Sequence, residues 1–203
     1  MNKIITLTGC SACGKDTILN ALLRIHHPNL KKIVSYTNRP IRDGEIQDIS
    51  YHFTSYEDIK NKIRNNDFVD HRAYDVISKD GLGIEEWIYG IPIGEVIQNG
   101  IKIVILDLNG AINIQRYCYQ QDIECISYYI DCEPRIRLIR SLKRQPNTSK
   151  AQVEEMCRRL LDDEMKIAPN KERSIFDVLL KNNTEKDFIN CIMTIGKEIE
   201  KEN

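Results

Sequence analysis

The sequence predicts an α/β protein built on a parallel central sheet. Three observations carry this. Short β-branched or apolar runs alternate with segments of helical period along the whole chain. The run "IKIVILDL" (101–108) is almost wholly apolar, as a strand covered on both faces must be. The chain opens with a strand, a glycine-containing loop and a helix, in that order.

The elements follow in order. "KIITLTG" (3–9) is a buried strand ending in Gly9. From Lys15 the period becomes helical, with Ile18, Leu19, Leu22 and Leu23 on one face, and Pro28 stops that helix. "KKIVSYT" (31–37) reads as a second strand, "NRPIRDGEIQD" (38–48) as a polar turn region, and "YHF" (51–53) as extended chain. Thr54 and Glu57 stand at capping-box spacing and start a helix. Residues 71–90 read as a loop around "SKDGLGIEEW", and a short helix from Pro92 ends at Gly100. "IECISYYI" (123–130) and "IFDVLL" (175–180) are strands. Residues 134–165 read as helical with a break at "QPNTSK", and 185–201 as a last helix.

The 203 residues fit one domain, with no internal repeat and no obvious linker. Net charge is −1, so no global basic field attracts nucleic acid or an anionic membrane, and any anion site has to be local. No apolar run reaches bilayer length, and the N-terminus lacks a signal-peptide core. Seven cysteines without framework spacing fit reduced thiols and a cytoplasmic location.

The opening loop, "GCSACGKDT" (9–17), admits several chemistries. Cys10 and Cys13 form a C-x-x-C, and with His26 they have the first three positions of a zinc-finger spacing. No fourth ligand follows at the required distance, and the intervening segment is a continuous amphipathic helix. A phosphate-binding loop accounts for more residues. Gly9 lets the chain leave the strand, and Gly14 lets backbone amides approach an anion. Lys15 adds positive charge at a helix N-terminus, where the dipole already favours phosphate. The G-x-x-x-x-G-K pattern is complete through Lys15, with Asp16 where Ser or Thr is usual and Thr17 one place late. ATP would then lie against Gly9, Ser11, Ala12, Cys13, Gly14, Lys15, Asp16 and Thr17, with the cysteines packed as small side chains beneath the loop.

A second anion site is offered by "SYTNRPIRDGEIQDISYHF" (35–53), where Arg39, Arg42 and Tyr51 supply guanidinium forks and a phenol. With the opening loop, this S-x-T-x-R-x-x-R-x-G-E…Y-x-F block resembles the guanylate kinase family. The resemblance extends over 4–23, 35–53, 89–110 and 134–182. It implies a P-loop NTPase three-layer fold with a core of about 1–32, 95–132 and 166–203, a nucleotide-binding insertion at 33–94 and a helical lid at 133–165. It further implies phosphorylation of GMP or dGMP by ATP with Mg²⁺, in a monomer or homodimer that binds neither nucleic acid nor membrane. Arg39, Arg42, Tyr51 and Tyr89 correspond to the clamp on the acceptor phosphate, and Ser35 and Asp70 to the readers of the guanine edge. Asp107 and Asn109 complete the acceptor site, and Thr17 and Asp107 stand beside Mg²⁺, directly or through water. Arg140, Arg144 and Arg159 correspond to lid arginines that join Lys15 and Arg39 in catalysis, while Arg137, Lys143 and Arg158 are placed at the surface.

The chain departs from the family at several positions. Asp70 stands for the usual Glu, Asn109 for a frequent Asp and Ile91 for a Ser or Thr, and the 71–88 connection is long. These departures keep two other acceptors in view, ribose 1,5-bisphosphate and another nucleoside monophosphate. A non-catalytic binding module is the remaining alternative, against which the intact Lys15 loop argues. Trp87 reads as packing for the 71–88 loop, and His52 and His71 lack metal-ligand spacing.

Overall fold

A computed structural model describes residues 2–42, 44–77, 83–144, 150–166 and 175–201. In chain order the elements are β1 (Asn2–Thr8), α1 (Lys15–Ile25), β2 (Leu30–Lys32), β3 (Tyr36–Thr37), β4 (His52–Phe53), α2 (Tyr56–Arg64), β5 (Phe68–Ile77) and β6 (Ile84–Pro92). There follow α3 (Ile93–Ile97), β7 (Gly100–Ile105), α4 (Leu108–Gln120), β8 (Glu124–Asp131), α5 (Pro134–Arg144), α6 (Lys150–Lys166), β9 (Val178–Lys181) and α7 (Glu185–Glu200).

The central sheet has the order β2-β7-β1-β8-β9, and every pairing in it is parallel. Strand β1 alternates its side chains between two cores. Ile5 and Leu7 pack on one face with Ile18 and Leu22 of α1 and Ile195 and Ile199 of α7. Ile4 packs on the other with Ala111, Ile114 and Cys118 of α4 and Val96 of α3. Burying helices on both faces explains the almost wholly apolar character of 101–106, where Lys102 is the one charged residue.

A second, four-stranded sheet has the order β4-β3-β6-β5, mixed in direction, and is drawn wholly from residues 36–92. Here the structure corrects four sequence expectations. The run 31–37 is two strands in two different sheets, because the chain leaves the core at Ile33 after pairing with β7. The cap of α2 is Ser55, whose hydroxyl accepts from the Asp58 amide, one residue beyond the expected Thr54–Glu57 pair. Most of 71–90 belongs to an antiparallel ladder from Asp70↔Ile91 to Ile77↔Ile84, with only 78–82 outside the described residues. Gly100, at φ +116°, opens β7, and α3 ends at Ile97. The expected helix break at 145–150 lies outside the described residues except for Lys150, which begins α6.

Candidate active site

The phosphate loop joins β1 to α1 at the carboxyl edge of the parallel sheet, where open α/β sheets bind ligands. Two glycines are required there. Gly9 sits at φ +151°, and a Cβ on it would lie 2.4 Å from the Ile130 carbonyl oxygen. Gly14 is the N-cap of α1 at φ +99°, and its Cβ would meet Asn182 Nδ2 at 2.4 Å. No side chain caps α1, so its N-terminal amides keep their affinity for an anion. Cys10 and Cys13 are buried free thiols, and burial raises the pKa of Cys10. They pack beneath the loop as their spacing in a phosphate loop predicts.

Lys15 is folded back on the loop, its Nζ donating to the carbonyls of Gly9 (2.7 Å) and Cys10 (2.9 Å). The Cys13 carbonyl accepts from Asn182 Nδ2 at 2.7 Å and from Arg140 Nη1 at 3.4 Å. Arg140 of α5 is thereby placed directly at the loop. Arg144 is exposed at the end of the same helix, and Asp16 and Thr17 are exposed on the first turn of α1. The Ser11 amide donates to Asp163 of α6 at 2.6 Å. That carboxylate also faces Arg137 Nη1 at 3.3 Å, and Arg137 reaches Glu164 as well. Arg137 is therefore not a surface residue: it is fully buried, held between α5 and α6 by two acids.

At the end of β7, where Ile105 and Leu106 line it, lies a cavity of about 940 Å³. It is lined by Ser35, Arg39, Arg42, Tyr51, Asp70, Tyr89 and Asp107, brought together from two sheets and the start of α4, with Arg158 and Arg159 of α6 across from them. Arg39 is 4% exposed and forms a bidentate pair with Glu45, Nη1 to Oε2 at 2.7 Å and Nη2 to Oε1 at 2.5 Å. Its guanidinium lies 4.9 Å from the Tyr51 ring centroid. The Glu45 hydrogen bond raises the Arg39 pKa, and the same bond lowers that of Glu45, whose Oε2 also accepts from the Arg42 amide. Arg42 faces the ring of Trp87 at 5.7 Å, and Trp87 lines the cavity, so its role extends beyond packing the 71–88 segment. Asn109 is exposed and stands outside the lining.

At the far end, Asp70 is 8% exposed and accepts from Asn113 Nδ2 of α4 at 2.7 Å. Asp107 caps α4 through its Oδ1, which accepts from the Gly110 amide at 2.6 Å. Arg72 stands between these acids, and the Tyr74 hydroxyl reaches Asp107 Oδ2 at 3.5 Å. Sequence reasoning gave no role to Arg72, Tyr74, Asn113, Glu45 or Asp163. For two of them a signal was present. In a strand, 70, 72 and 74 face one side, so Asp70 alone should have pointed to Arg72 and Tyr74.

A family model described as guanylate kinase matches residues 1–198. The chain belongs to the guanylate kinase family. It is 26% identical over 202 residues to the guanylate kinase of Sus scrofa, covering 97% of this chain and 93% of that protein. With the guanylate kinase of Homo sapiens it shares 28% identity over 200 residues, covering 97% and 94%. The match to the guanylate kinase of Chlorobium luteolum, 29% identical, spans about half of each chain, 57% and 55%. The fold is similar to that of the crystal structure of guanylate kinase from Anaplasma phagocytophilum, with a TM-score of 0.62, 20% identity, and coverage of 99% and 86%. For this guanylate kinase-family chain the parallel core and phosphate loop are the P-loop three-layer arrangement. Among the described residues no helix is long and apolar enough to cross a membrane.

Proposed function

We propose that the chain is a cytoplasmic guanylate kinase, transferring the γ-phosphoryl of ATP to the phosphate of GMP or dGMP. A phosphate oxygen of the acceptor forms the new P–O bond, the β–γ bridge of ATP breaks, and ADP leaves with the bridging oxygen. The observation that supports this best is one cavity, at the end of β7, that Arg39, Arg42, Tyr51 and Tyr89 line together with Asp70 and Ser35. Membership of the family supports the same acceptor.

The reaction needs alignment, charge neutralisation and exclusion of water rather than covalent help. The loop amides and Lys15 hold the ATP phosphates, for which Lys15 leaves the carbonyls of Gly9 and Cys10. Arg39 and Arg42, both in the cavity wall, hold the acceptor phosphate. Arg140 at the loop and Arg159 across the cavity neutralise the transferring group, and Arg144 joins them when residues 133–165 close as a lid over the 33–94 insertion. Mg²⁺ would enter as part of the MgATP substrate, would supply neutralisation of phosphate charge there, and would need at most one or two protein oxygens. The exposed Thr17 hydroxyl at the start of α1 fits that need, and Asp107, already capping α4, would face the ion only through water.

The test is ADP release with MgATP across GMP, dGMP, AMP, UMP, CMP and ribose 1,5-bisphosphate. Dominant turnover of GMP and dGMP is expected. Preferential turnover of the sugar bisphosphate or of another base would overturn the acceptor assignment.

A further inference from the structure

Arg72 is a partly buried cation that the phosphate chemistry does not use. It stands on β5 opposite Tyr89 of β6 and projects into the acceptor cavity. Its Nη2 is 3.2 Å from Asp70 Oδ1, and its Nε is 3.6 Å from Asp107 Oδ2. These are charge contacts only. Both nitrogens are buried and neither makes a hydrogen bond among the described residues. The side chain as a whole is 29% exposed and lines the cavity, so a ligand that supplies acceptors to it there gains affinity.

The position within the cavity narrows what that ligand is. Tyr51, Tyr89 and Tyr74 form a chain of edge contacts, with centroids 5.8 and 5.9 Å apart. Arg39 stacks on the Tyr51 end, while Tyr74 reaches toward Asp107 beside Arg72. Arg72 is thus at the end away from the phosphate clamp, where the base of a nucleoside monophosphate would lie. A guanidinium is planar and presents two-donor forks. In nucleic acids the commonest specific contact of such a fork is the O6/N7 edge of guanine. Asp70, beside it, offers acceptors for the N1–H and N2–H₂ donors on the adjoining edge of the same base.

We propose that Arg72 is a specificity-determining residue that reads the O6/N7 edge of a 6-oxopurine acceptor. Asp70 and Arg72 divide the base between them, acid to its donors and guanidinium to its acceptors. Adenine reverses the pattern, setting its 6-amino donor against the donors of Arg72 and offering Asp70 no N1–H. Hypoxanthine keeps the Arg72 contact and loses only the 2-amino contact. The inference rests on the acceptor being a nucleoside monophosphate, as proposed above.

The experiment compares kcat/KM for GMP, IMP, AMP and 7-deaza-GMP in the wild-type chain, Arg72→Ala and Arg72→Lys. Arg72→Ala should lose roughly 10- to 100-fold on GMP and IMP alike and much less on AMP. Arg72→Lys, which keeps the charge beside Asp70 and Asp107 but not the fork, should show the same loss of GMP-over-AMP preference. On the unaltered protein, removing N7 in 7-deaza-GMP should lower kcat/KM several-fold, a readout that needs no variant to fold. A GMP:AMP ratio unchanged in both variants, with no effect of N7 removal, overturns the inference while leaving the guanylate kinase reading intact. A wild-type chain that turns over none of the nucleotides overturns that reading, and the inference with it.

Discussion

Arg39 shows how one cation is held in the wall of a cavity. A guanidinium only 4% exposed cannot remain unpaired, and Glu45 supplies the pairing through both its oxygens. The same carboxylate accepts from the Arg42 amide, so one acid ties both arginines of the proposed clamp together. Hydrogen bonding to Arg39 depresses the Glu45 pKa. The stabilisation is therefore complete above the ordinary glutamate range and is lost only as pH falls through the depressed value, so the clamp is fully formed at neutral pH. Glu45→Gln keeps the shape and one hydrogen bond but removes the charge. We expect it to lower kcat/KM for GMP about 10-fold or more, since hydrogen bonds to charged groups contribute roughly 1.5–3 kcal/mol, with the KM for ATP little changed. Steady-state kinetics with each substrate varied separately checks this. An equal rise in both KM values would mean that Glu45 supports the fold and not the clamp.

Among the elements, the contrast between the two sheets explains what was legible in the sequence. The central strands lie between helices, so their apolar runs read directly as buried parallel strands. Strands β5 and β6 border a water-accessible cavity, so their cavity faces carry Asp70, Arg72, Tyr74, Trp87 and Tyr89. Polar residues near Gly81 and Gly83 then imitate a loop, although Arg72, Tyr74 and their partners alternate as a strand does. The join between the sheets is also polar. His52 of β4 contacts Asp48 at 2.7 Å and Glu95 of α3 at 3.0 Å, and Glu95 accepts from the Val34 amide between β2 and β3. Partial burial lowers the His52 pKa, but the hydrogen bonds to Glu95 and Asp48 outweigh it and leave the value raised above 6.5. A raised pKa in the folded state stabilises fully below the unfolded value and fades as pH rises through the folded one. The melting temperature of the wild type should therefore exceed that of His52→Gln most clearly in mildly acid solution, with the gap closing at alkaline pH. Thermal melts of both proteins across that range measure it, and a gap independent of pH would exclude an imidazolium at this join.

The molecule as a whole is tied together by a buried ion cluster that no local pattern could reveal. Arg137 occupies an i−3 position to Arg140 on a basic helix and reads as solvated, because its acids lie 26 and 27 residues away on α6. In the fold it is fully buried, with Asp163 7% exposed against it. Asp163 in turn accepts from the Ser11 amide, so α5, α6 and the phosphate loop share one carboxylate. Removing one member of such a pair leaves an uncompensated buried charge, at a cost of about 3–5 kcal/mol, whereas replacing both is often neutral. Arg137→Met should therefore lower the melting temperature by roughly 6–20 °C, at 2–4 °C per kcal/mol for a chain of this size. Asp163→Asn added to it removes the stranded charge while its amide oxygen still accepts from Ser11. The double variant should recover most of the loss, leaving Glu164, the more exposed acid, to turn to solvent. If the double variant melts no higher than Arg137→Met alone, the cluster acts by packing rather than by charge, and the link from α5 and α6 to the phosphate loop is steric.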